Sequence, residues 1–339
     1  MARSSSRAFS LIELLVVVAI IVVVVAIIIP SLGGARTVAR ETQSKALLSD
    51  IASASGKFTL DNGGRVPGYF TPAEMGSGDN ATQGLTGMEN LLLDLAGAEA
   101  VFSSDDTDRI EVNPLSNGSP IYVNPDLLGS GTGNYLTIDQ GNLRYEEQAS
   151  NAGDLGQIAA TGFDGSRSLP DVVDAFGQPL LVWTEDAAGP SKITDFDEFA
   201  VEDSDADPAH FYWNQNASIL NSGGIGKKLT DVYMDSLLGG SAQKSKRERT
   251  LTAILGNPGY PANLADPLPA VNTIYPSAAR GKMLVQAAGA DGVYLSLKDK
   301  KGRGLISSNQ LNYGSNFPAV GETDDLIKQF DDLFISAGN

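Results

Sequence analysis

Between Leu14 and Ile29 no side chain is charged or polar. The apolar segment counted from Phe9 to Ile29 has 21 residues. As a helix it measures about 31 Å, the thickness of a bilayer core. Arg3 and Arg7 precede it among serines. A positive flank of this kind stays cytoplasmic, which puts the rest of the chain on the far side of the membrane. A secretory leader cut near Gly33–Ala35, or a plain signal anchor, accounts for the hydrophobicity alone. Neither accounts for Glu13, because a carboxylate in hydrocarbon costs about 2.5–3.5 kcal/mol. Glu13 needs a partner or a reader.

Beyond this segment the sequence excludes more than it assigns. The chain has 339 residues, no cysteine, one histidine and a net charge of −17. Disulfides and thiol chemistry are ruled out. A surface this acidic repels nucleic acid and tolerates divalent cations. His210 alone cannot build a zinc site. Asp203, Asp205 and Asp207 alternate like the front of an EF-hand loop. However, Pro208 stands where that loop needs glycine and Asn214 where it needs glutamate, so a solvated acidic loop is expected. There is no phosphate-binding glycine loop and no nucleophile elbow. The chain is read as a non-enzyme.

The apolar run does not end the helix. Leu47, Ile51, Ala54 and Phe58 recur at helical spacing, so one helix is expected from about Phe9 to Phe58. Pro30, Gly33 and Gly34 should soften it. Asn62–Gly63–Gly64 reads as a turn. Glu89–Leu95 and Arg247–Leu255 read as short helices, as does Thr230–Leu238. Strands are expected at Ile121–Val123, Tyr135–Ile138 and Leu180–Thr184. A hairpin is expected with strands Lys282–Gln286 and Val293–Leu297 around "AGADG". The basic patch Lys244–Arg249 reads as an exposed helix start, or as a contact for an acidic neighbour. The fold class is α+β: a long N-terminal helix, then a globular part with a small antiparallel sheet and long loops.

"AFSLIEL" resembles the processing signature of type IV pilins and type II secretion pseudopilins. "LDNGGRVP", "QGLTGMENLLLDL", "DAFGQPLLVW" and "GADG" are similar to segments of the major, G-type pseudopilin. The resemblance implies cutting by prepilin peptidase between Ala8 and Phe9 and N-methylation of Phe9. Ala8 replaces the family's usual glycine. Glu13 takes the family's glutamate position and Pro30 its helix-kinking proline. Paired with the freed amine of a neighbour's Phe9, the Glu13 charge becomes tolerable and sets the register of assembly. The implied division is a leader over 1–8 and a transmembrane helix half over 9–30. An amphipathic continuation covers 31–60, a first globular part 61–185, an insertion 186–280, and a C-terminal hairpin with a calcium loop 281–339.

The resemblance further implies a Ca²⁺ site built from Asp291, Asp324, Asp325 and the Ala288 carbonyl. The alternative is that Asp291 sits in a plain turn and Asp324 caps a helix. It implies a single-pass inner-membrane subunit with its globular part in the periplasm. Its partners would be further copies, minor pseudopilins, prepilin peptidase and the inner-membrane assembly platform. The rival readings are a subunit of a surface pilus for adhesion or motility, and a membrane-anchored periplasmic binding domain.

Overall fold

A computed structural model describes residues 11–97, 109–124, 134–144, 169–205, 207–221, 236–239, 243–299 and 310–338, without the side chains of 28–32. Helix α1, Leu11–Asp61, runs through Pro30 and the two glycines without a break. Its burial changes abruptly along its length. Every described side chain from Leu11 to Arg40 is exposed. From Ser44 onward, Ser44, Leu48, Ile51, Ser55 and Phe58 are buried, a repeat of four, three, four and three that keeps one stripe on the core. Leu48 fills the place expected for Leu47, which is half-buried. Gly63 and Gly64, at φ +66° and +92°, turn the chain off the helix end.

Four short helices follow or punctuate the globular part: α2 Pro72–Met75, α3 Gly78–Gln83, α4 Gly87–Leu95 and α5 Ala217–Asn221. Helix α6 spans Lys244–Leu255. Thr86 and Glu89 close a capping box on α4, which explains its start two residues ahead of expectation. The strands are β1 Ile110–Val112, β2 Ile121–Val123, β3 Leu143–Arg144, β4 Asp171–Val172, β5 Leu181–Thr184, β6 Ala200–Val201, β7 Phe211–Tyr212, β8 Met283–Ala287 and β9 Leu333–Ala337. β1–β2 and β3–β4 form antiparallel pairs, and β6–β7 a parallel one.

The central sheet is antiparallel, in the order β5-β8-β9. Leu181 opposes Gln286 and Trp183 opposes Leu284, while Val182 opposes Val285. Strand alternation therefore divides the side chains between two cores. Val182, Met283, Val285 and Leu333 pack with α1 and α4. Leu181, Trp183 and Leu284 pack with Phe199, Phe211, Trp213, Leu251 and Ile254. The segment 186–280, expected as an insertion, supplies the layer that covers the second face of the sheet.

Three sequence expectations are corrected. The hairpin over Gly281–Leu297 does not form. β8 pairs instead with β5 and β9, while the Tyr294 hydroxyl bonds the Pro179 carbonyl and Leu295 takes φ +50°. Tyr135–Ile138 is not a strand. The Tyr135 and Leu136 amides both donate to the Leu95 carbonyl, at 2.9 and 3.0 Å, and close the end of α4. The acidic stretch Asp197–His210 is not merely solvated, as its ion pairs below show. Most of Thr230–Leu238 lies outside the described residues.

Among the described residues no helix is long and apolar enough to cross a membrane. The run counted from the sequence, Phe9–Ile29, continues past the described side chains at both ends.

Candidate functional site

Two features stand out: an acidic cluster beside β9 and the exposed half of α1. Oxygens of Asp291, Asp299 and Asp331 lie within 4.8 Å of one another. The turn after β8 holds Asp291, whose Oδ1 accepts from the Val293 amide at 2.8 Å. Asp331 stands two residues ahead of β9, and its Oδ2 accepts from the Ala290 and Asp291 amides at 2.8 and 3.1 Å. Gly289, at φ +72°, lets the two segments meet, since a Cβ there would come within 2.5 Å of the Asp331 carbonyl. Asp331 Oδ1 is buried with no hydrogen-bond partner among the described residues. Burial first, then the Asp299 carboxylate beside it, push the Asp331 carboxyl up to about 6.

Three carboxylates with one buried, unsatisfied oxygen are a donor set that fits a hard divalent cation. A cleft of about 560 Å³ lined by Lys45, Leu48, Phe330 and Asp331 opens on the cluster and offers an entry path. Next to it, Asp332 is almost fully buried. It accepts from Gln286 Nε2 at 2.7 Å and the Leu295 amide at 2.9 Å, and burial drives its carboxyl well upward.

The expected ligand set is distributed differently. Asp291 is in the cluster. Asp325 makes a two-pronged ion pair with Arg280, at 2.9 and 2.7 Å, and caps the turn Leu326–Gln329. Its neighbour Asp324 donates its amide to the Asn316 carbonyl at 2.7 Å, and Ala288 is buried in the core on the far side of the sheet. The carboxylates of Asp324 and Asp325 do not belong to the cluster. Asp299 and Asp331 were not read from the sequence. The "FDD" ahead of the last strand was the available signal.

On α1, Leu11–Ile27 forms an all-round apolar surface with Leu11 83% and Ile27 70% exposed. A helix apolar on every side is stable only inside a membrane or among other helices. Glu13 lies in its first turn, where the helix dipole favours a negative charge. Ala8 and Phe9 lie outside the described residues, and Pro30 is helical in backbone with its side chain outside them. Residues 3–29 match the prokaryotic N-terminal methylation motif. This is a type IV pilin-like prepilin signal. It makes the chain a prepilin-peptidase substrate and its first helix an assembly element. No curated protein and no solved structure matches the chain.

The basic and acidic runs of the globular part pair with each other among the described residues. Lys244 pairs with Asp203 at 3.1 Å and Arg247 with Glu202 at 2.8 Å. Arg247 also stacks on Trp213, 4.1 Å from the ring centre, and Arg249 stacks on Phe196. The Asp205 carboxylate accepts from the Gly78 amide at the start of α3. The basic and acidic runs thus neutralise each other. His210 joins Glu185 through Nδ1 at 3.0 Å and the Pro190 carbonyl through Nε2 at 2.9 Å. Two acceptors on one ring favour the doubly protonated form.

Proposed function

We propose that the chain is a pseudopilin-type subunit of a type II secretion filament, without enzymatic activity. The observation that carries the reading is the prepilin signal on a helix whose described side chains are all exposed from Leu11 to Arg40, while its later part is locked into a folded domain. After cleavage before Phe9, the apolar half resides in the inner membrane and then packs against the same half of other copies. Minor pseudopilins and the inner-membrane platform complete the machine. The folded part stays in the periplasm. Glu13 answers the Phe9 amine of a neighbouring copy, so that neither charge remains alone in hydrocarbon.

Asp291, Asp299 and Asp331 would hold the calcium ion of this reading. The ion would supply positive charge that relieves carboxylate repulsion and ties the turn after β8 to the entry of β9.

Mass spectrometry of the native polypeptide tests processing, with an N-methylated Phe9 expected at its start. Glu13→Ala should insert into the membrane and fail to assemble. Normal filaments from that variant sink the pairing role. Surface pili instead of short periplasmic filaments, seen by electron microscopy, would favour the adhesive-pilus reading.

A further inference from the structure

Between the apolar run and the folded domain, α1 has a neck. Residues Gly33 to Arg40 are all exposed, and the first buried position is Ser44. The neck carries Arg36 and Arg40, one helical turn apart on one face. Neither makes an ion pair among the described residues. The acid next along the chain, Glu41, pairs with Lys45 at 2.6 Å. Like charges at this spacing destabilise a helix by about 0.2–0.5 kcal/mol, so the pair does nothing for the neck itself. Among the described residues nothing covers it.

We infer that Arg36 and Arg40 form a docking band for the acidic globular surface of a second copy of this chain. The inference rests on the filament reading above and adds to it a contact outside the membrane. Charge complementarity is the first argument: the neck is cationic in a chain of net charge −17. Geometry is the second. Arg36 lies seven residues past Ile29 and Arg40 eleven, about 10 and 16 Å along the axis. The headgroup layer beyond a bilayer core is only about 5–8 Å deep. Lipid phosphates therefore lie short of Arg40; a copy at equal height starts its folded core only at Ser44, so the contact joins copies staggered along the axis, as in the filament reading. Arginine suits the task because its fork grips carboxylates two-pronged.

The absence of cysteine makes the test clean. Ala39→Cys, carrying a photocrosslinker, labels the neck alone and leaves both arginines in place. Irradiated in native membranes of the full-length protein, it should give adducts between copies that map to acid-bearing peptides beyond residue 44. The same adducts should weaken when salt is raised from about 0.05 to 0.5 M. Arg36→Glu with Arg40→Glu should lower filament yield about tenfold or more, and Arg36→Lys with Arg40→Lys should keep most of it. Adducts to lipid only, or salt-independent adducts, overturn the docking band whether or not filaments form. Unchanged filament yield in the double glutamate variant overturns it too, while leaving the filament reading intact. Adducts between copies without any filament would instead break that reading and keep the band.

Discussion

The two halves of α1 invert the usual relation between hydrophobicity and burial. Its first stretch, Leu11–Ile29, is pure hydrocarbon apart from Glu13, yet every described side chain there is exposed. Its second half mixes charge, serine and alanine, yet Leu48, Ile51 and Phe58 are almost wholly buried. The total amount of apolar surface does not select the packing partner; its angular distribution does. A stripe on one side docks on one globular core. A surface apolar on all sides is satisfied only by lipid or by several helices at once. Ser44 marks the border, where its hydroxyl accepts from the Ala175 amide at 3.1 Å and pins the "DAFGQ" turn to the helix.

The sharpest way to break this contrast is truncation on both sides of the border. Phe58→Ala should cost about 3–5 kcal/mol in denaturant unfolding of the full chain in detergent. Val17→Ala should leave that transition within about 0.5 kcal/mol. Equal effects would show that the apolar half belongs to the same folded unit. Next in size is Arg247→Ala, which strips Glu202 of its partner and Trp213 of its stacked cation. A loss of about 3 kcal/mol is expected, with a change in tryptophan emission. A neutral result would mean that the layer over 186–280 is held by its apolar contacts alone.

Calcium should stabilise the folded part by about 1.4 kcal/mol at ten times its dissociation constant, and Asp331→Asn should abolish the gain. Equal melting shifts in both proteins would remove the cluster as the ion's seat. The smallest effect belongs to His210. The Glu185 bond first, then the Pro190 carbonyl, hold its pKa above the ordinary 6.5, against burial. A raised native pKa gives stability that is complete below 6.5 and lost as pH rises through the native value. His210→Gln should therefore cost about 1 kcal/mol or less at pH 5.5 and nothing at pH 9, read from thermal melts. A pH-independent cost would assign His210 a packing role only.

Local chemistry was legible in the sequence and long-range chemistry was not. The run of α1, the body of α4 from Glu89 to Leu95, and the strands β2 and β5 each follow from residues within one turn or one alternation. The partner of β8 does not. Val293–Leu297 has strand-like residues close at hand, but β9, far downstream, carries the register that fills the core. For the same reason Asp299 and Asp331 escaped notice beside Asp291. The covering layer over 186–280 has a signal in the strands it covers. Leu180–Trp183 and Met283–Val285 are apolar at consecutive positions, the mark of a sheet buried on both faces. The basic and acidic runs carry opposite charge, but their pairing across some 40 residues of chain has no local signal.

One consequence concerns order in time. β9 closes the sheet beside β8 and packs on α1, which ended some 270 residues before it. The segment synthesised first is therefore completed by one synthesised late, and contacts this distant form slowly. If the helix enters a bilayer, as proposed above, it does so long before its own domain can finish. Anchoring would then precede maturation.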